Sequence, residues 1–149
     1  MNYINTTSSY VLLQKTLKRK INFSGVGVHS GRAVSMSIEP AEADTGIIFE
    51  RTDLEKNNVI KAVIENVVDS RLCTKIINSS GIYVYTIEHL MAALSALGID
   101  NAIVKINTSE LPALDGSSNE YVKKIINSGI KTLNKSKKIF KVLKEVKVK

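Results

Sequence analysis

The sequence predicts an α+β domain, a two-layer sandwich in which a mixed β-sheet carries two main helices. Segments with apolar residues on alternate positions fill much of the chain before residue 86, and two later stretches carry helical spacing. Strands and helices are thus largely segregated along the chain, the order of an α+β arrangement rather than of a parallel βαβ series. The 149 residues are 44% hydrophobic, enough for one compact core.

Taken in order, residues 15–23 place Leu17, Ile21 and Phe23 on one parity, a strand pattern. The glycine-rich connection Gly25-Val26-Gly27-Val28-His29-Ser30-Gly31 follows, then a second strand in which Val34, Met36 and Ile38 alternate with Ser35 and Ser37 until Pro40. The glycine spacing is G-x-G-x-x-x-G and a strand comes next, so the helix N-terminus that would cradle a dinucleotide phosphate is missing. Further strands are expected at 46–50, 59–68, 72–77, 82–85 and 101–107. A turn at Pro112–Gly116 leads into a capping box with Ser117 as N-cap and Glu120 at N3, opening a helix that runs to about Ser128 and stops at Gly129. A last strand is expected over 139–148, where Phe140, Val142, Val146 and Val148 interrupt Lys and Glu.

The other helix, expected over 87–97 with Thr86 as N-cap and Gly98 as C-terminal stop, is the most informative segment. Ile87, Leu90, Met91, Leu94 and Leu97 share one face, and Ala92, Ala93, Ser95 and Ala96 make the opposite one small. Glu88 and His89 are the strongly polar groups of this apolar helix. An acid in a first turn is favoured by the helix dipole alone. An acid beside an imidazole in such apolar surroundings also points to a metal or a substrate.

A zinc hydrolase needs metal ligands, an open position for water and a base. H-E-x-x-H is absent, and H-x-x-E-H would require histidine where Tyr85 stands. The chain has two histidines, His29 and His89, so a three-ligand site within it would have to recruit His29 and a carboxylate such as Asp115. The residues make half of a metal site. A cysteine nucleophile is weaker: Cys73 has no histidine near it in sequence, and its neighbour Leu72 is apolar rather than cationic.

Composition narrows the classes. The formal charge is +7, yet residues 131–149 hold eight lysines and one glutamate, and the remaining 130 residues are neutral overall. The body therefore offers no phosphate-tracking surface, and no nucleic-acid partner is expected. No apolar run is long enough for a transmembrane segment, no secretory signal is evident, and the single cysteine fits a reducing, cytoplasmic compartment.

Several segments together resemble a known family. Thr86-Ile87-Glu88-His89-Leu90-Met91-Ala92-Ala93-Leu94 with Leu97-Gly98-Ile99-Asp100-Asn101 is similar to the signature of UDP-3-O-acyl-N-acetylglucosamine deacetylases. Gly25–Gly31, Arg51-Thr52-Asp53, Leu72-Cys73-Thr74, Glu110-Leu111-Pro112 and Asp115-Gly116-Ser117 resemble further family segments in order, from about Gln14 to Lys149. The resemblance implies a zinc-dependent amide hydrolase acting on a UDP-linked acylated glucosamine, the committed step of lipid A synthesis in Gram-negative bacteria. It implies that Glu88 is the general base and His89 a zinc ligand. Leu72, Cys73 and His29 would belong to the substrate site.

The resemblance also implies one half of a two-domain fold. Residues 1–13 would be an N-terminal extension, 14–134 the first α+β domain, and 135–149 a linker and the first strand of a second domain. The remaining ligands, in an H-K-x-x-D motif, lie in the family's second half and are absent here. The chain is accordingly expected to be an N-terminal portion that needs its C-terminal partner for activity. The alternative is a non-catalytic remnant, or an interaction module working through its lysine-rich tail.

Overall fold

The structure, a computed structural model, describes residues 12–68, 71–139 and 142–148. Among the described residues nine strands and two α-helices alternate little: β1 (Leu13–Leu17), β2 (Ile21–Val26), β3 (Ala33–Pro40), β4 (Ile47–Arg51), β5 (Val59–Lys61), β6 (Lys75–Ile77), β7 (Tyr83–Tyr85), α1 (Glu88–Ala96), β8 (Ala102–Ile106), α2 (Asn119–Ser128) and β9 (Ile130–Ser136). The α+β class is as expected. The main sheet has the order β2-β3-β8-β4-β5, with β4 and β8 parallel and the other pairs antiparallel, so it is mixed.

Register explains which face is buried. Ile21, Ile38, Val104, Phe49 and Ile60 stand opposite one another across all five strands, with Phe23, Met36 and Ile106 in the next row. Most of this face is buried in one core with Leu90, Ala93 and Leu94 of α1 and Tyr121 and Ile125 of α2. The Phe23 and Tyr121 rings meet at 5.0 Å between centroids, tilted by 46°. On the other face Ser37 and Lys105 are neighbours, and Glu39 bridges Lys20 at 2.9 Å and Lys105 at 3.1 Å. Those two ammonium groups hold the Glu39 carboxyl below its ordinary range against the opposing effect of burial.

The differences from sequence expectation have local causes. The strand expected over 15–23 is two strands, β1 and β2, because β1 pairs with β9 and β2 with β3. The strand expected over 59–68 ends at Lys61, whose carbonyl accepts from Asn66 Nδ2 at 2.8 Å, and a 3₁₀ turn occupies Ile64–Asn66. The β6 and β7 segments form a hairpin of their own rather than joining the main sheet. Thr86 is not the N-cap of α1; Ile87 is, with no side-chain cap bond, and Thr86 lies at φ +59°. Ala93, on the small face by periodicity, is fully buried. The capping box is also displaced: Ser118 is the N-cap, while Ser117 Oγ accepts from the Asn119 N–H and donates to Asp115 Oδ1.

Strand β9 has no alternating signature. It pairs with β1 through a bulge, Leu13 facing Ser136 and Lys15 facing Thr132, so Ile130 and Leu133 point inward three residues apart. The expected domain limit at residue 134 therefore falls inside β9. The strand expected over 139–148 is not formed at 142–148, where Val142, Leu143, Val146 and Val148 are exposed and pair with no strand among the described residues; Phe140 lies outside them. Among the described residues no helix is long and apolar enough to cross a membrane.

The β1–β9 ribbon straps the far end of α1. Lys137 Nζ donates to Gly98 O at 3.0 Å and pairs with Asp100 at 2.9 Å, placing a cation on the helix's C-terminal carbonyls. At the end of α2, Gly129 takes φ +80°, and a Cβ there would meet Lys18 Cδ at 3.0 Å. Gly129→Ala is expected to lower stability by about 1–3 kcal/mol in denaturant unfolding, since the strained backbone adds to the crowding.

Candidate functional site

The tight junction between β7 and α1 aims the two residues that sequence reading singles out. Tyr85 ends β7, Thr86 turns the chain at positive φ, and α1 begins at Glu88. A β-branched residue in that region is strained by about 1–3 kcal/mol, so its surroundings must hold it there. Two backbone bonds do so next door: Tyr85 N–H donates to Ser109 O at 2.9 Å, and Leu111 N–H donates to Tyr85 O at 3.2 Å.

Glu88 and His89, the first two residues of α1, are both half-buried, so neither is sealed beneath the packing. Glu88 Oε2 accepts the Thr74 N–H at 2.9 Å. This bond draws the Leu72-Cys73-Thr74 segment onto the carboxylate. Cys73 is a half-buried free thiol, and Leu72 is 86% exposed beside it. Val63, Ile64 and Val67 are exposed apolar side chains as well, with Val67 bridged to Ile76 of β6. Among the described residues the His89 ring makes no hydrogen bond or ion pair, so its nitrogens are available to a ligand.

His29 reaches the same region by another route. It lies exposed in the loop joining β2 to β3, closed by Gly27 N–H to Arg32 O at 3.0 Å and Gly31 N–H to Gly27 O at 3.1 Å. Its ring stands 6.2 Å from that of Tyr85. The sequence-derived residues thus gather around one junction: Leu72 and Cys73 through the Thr74–Glu88 bond, His29 through Tyr85.

Sequence reading assigned no role to Glu110. Its carboxylate is fully buried and accepts the His29 N–H and the Ser30 N–H, each at 2.8 Å. The Tyr85 hydroxyl donates to it at 3.3 Å and Thr86 Oγ1 at 3.4 Å. Burial alone would push its pKa up, but the donors from His29, Ser30 and Tyr85 hold it below the ordinary value. Burial, reinforced by the Glu110 charge, pushes the Tyr85 hydroxyl up, so it stays a proton donor. An acid followed by Leu111-Pro112 was the available signal, but it does not say what the acid binds.

The residues present do not complete a catalytic zinc site. Among the described residues no three His, Cys, Asp or Glu side chains converge to hold a metal. A catalytic zinc takes three protein ligands, so His89 fits as one donor of a set completed elsewhere. A concavity of about 360 Å³ at the end of α2 is lined by Arg19, Lys20 and Lys124 among others, and by none of the candidate site residues. Arg19 already donates to the Asn127 and Ser128 carbonyls and Lys124 to Asn22 O, so these cations cap backbone rather than await a ligand.

The model of the family described as LpxC, UDP-3-O-acyl N-acetylglycosamine deacetylase, matches residues 14–149. The UDP-3-O-acyl-N-acetylglucosamine deacetylase of Pseudoalteromonas atlantica is 43% identical over 139 residues, covering 93% of this chain and 46% of that protein. Those of Aliivibrio fischeri and Blochmanniella pennsylvanica are 41% and 40% identical over 138 residues, again with 93% of this chain and 45% and 46% of theirs. The chain spans about half the length of the curated relatives it matches.

Proposed function

The chain belongs to the LpxC family, UDP-3-O-acyl N-acetylglycosamine deacetylase, and from that membership we propose that it supplies the N-terminal half of a zinc-dependent amide hydrolase. The substrate is UDP-3-O-acyl-N-acetylglucosamine, and the reaction is the committed step of lipid A synthesis in a Gram-negative cytoplasm. The observation that carries this reading is the α1 start: a carboxylate anchored by the Thr74 N–H, next to an imidazole that makes no hydrogen bond or ion pair among the described residues.

In this reading Glu88 takes a proton from water as the oxygen attacks the acetamide carbonyl carbon. The C–N bond then breaks, the proton passes to the departing nitrogen, and acetate and a free amine result. The Thr74 N–H fixes one oxygen of Glu88 and leaves the other for water. A bound zinc would polarise the carbonyl, with His89 as one donor to it. Exposed Leu72 and Cys73 would line the substrate site, and His29 would contact substrate from the loop opposite.

Because this half holds one candidate ligand, the 149-residue chain alone is expected to be inactive. The test is zinc content and acetate release, for the chain alone and combined with the C-terminal half of the Pseudoalteromonas atlantica relative. The expected result is weak zinc retention and no turnover alone, with turnover restored in combination. Stoichiometric zinc and turnover by the chain alone would overturn the half-site reading. Silence of the combination, where the relative's own two halves recombine into active enzyme, would overturn the deacetylase reading.

A further inference from the structure

We propose that Glu110 is a positioning residue: a buried carboxylate that fixes the His29 loop to the β7–α1 junction, so that the His29 ring is held against Tyr85, three residues before Glu88. Its relevance to catalysis rests on the function proposed above; the anchoring itself does not.

A fully buried carboxylate is costly unless its oxygens are satisfied. Here each oxygen accepts one backbone N–H, Oε1 from His29 and Oε2 from Ser30, and each also receives a side-chain hydroxyl. Successive N–H groups turned to one point form an anion-binding nest, and this nest is filled from within the protein. Space has been left for it. Gly27 has no side chain, and a Cβ there would overlap the Glu110 carboxylate.

The other side of Glu110 is tied to the candidate site. Its backbone pairs with Tyr85 in an isolated parallel bridge, and its N–H donates to Thr108 Oγ1 at 3.0 Å. Tyr85 is three residues before Glu88 and carries the ring that His29 approaches. One carboxylate therefore joins two segments far apart in sequence, the hairpin loop at 27–31 and the strand end that launches α1. The hairpin could close through its own Gly27–Arg32 bond without Glu110, but that bond does not set where the loop tip points. The donors from His29 and Ser30 do.

The experiment is solution NMR on the whole chain, comparing wild type with Glu110→Gln. Glutamine keeps the shape but turns one acceptor into a donor facing an N–H. The variant is expected to lose protection of the His29 and Ser30 amides by about tenfold or more. It should also lose the cross-relaxation between the His29 and Tyr85 rings, while the methyl spectra of Leu90 and Ile125 stay native. If Glu110→Gln does not fold, Gly27→Ala displaces the carboxylate without removing its charge and should produce the same two losses. Unchanged amide protection and an intact His29–Tyr85 signal in a folded variant would overturn the proposal. Neither readout uses turnover, so failure of the deacetylase reading would be seen separately.

Discussion

Replacing Glu88 by glutamine is expected to lower acetate release by about 10²–10⁴-fold in the enzyme assembled from this chain and a relative's C-terminal half. The glutamine carbonyl can still accept the Thr74 N–H, so the local fold should persist. What it cannot do is take a proton from water. The loss should therefore fall on kcat, with KM little changed, because the interaction removed belongs to the transition state. Steady-state kinetics on the assembled enzyme checks this. Retention of activity to within about threefold would remove Glu88 from the role of base.

Leu90→Ala is expected to cost about 2–5 kcal/mol in denaturant unfolding, the range for emptying a closed core site. Leu90 lies two residues after Glu88, is fully buried, and belongs to the cluster that clamps α1 onto the main sheet. Domains of this size are stable by only about 5–15 kcal/mol, so the loss takes a large share. Ala92→Ser on the exposed side of the same helix should stay within about 0.5 kcal/mol. Equal effects at the two positions would mean that α1 is not held by its Leu90 face.

Much of the fold was legible because it rests on short-range pattern. The alternation of Val34, Met36 and Ile38 and the spacing of Leu90 and Leu94 each report a buried face, and both faces are buried. The helix stops at Gly98 and Gly129 were legible too, since each takes a positive φ. Strand β9 was not, because its bulge breaks the alternation that identifies a strand. The Thr86 cap failed because its hydroxyl is engaged by Glu110, from a distant part of the chain. At the candidate site Glu88 and His89 were visible as polar residues in an apolar helix. Glu110 was not, because its meaning lies in two amides about 80 residues away, and such pairing leaves no local trace.

The pairing of Leu13 with Ser136 has a consequence for biosynthesis. Strand β1 is made before its partner β9, so the ribbon between them cannot close until residue 136 has emerged. Once it has, the polypeptide departs beside the place where it entered. The unit is thus built like an insertable cassette, whose two ends could be joined and new ends opened in a surface turn without disturbing the layers between.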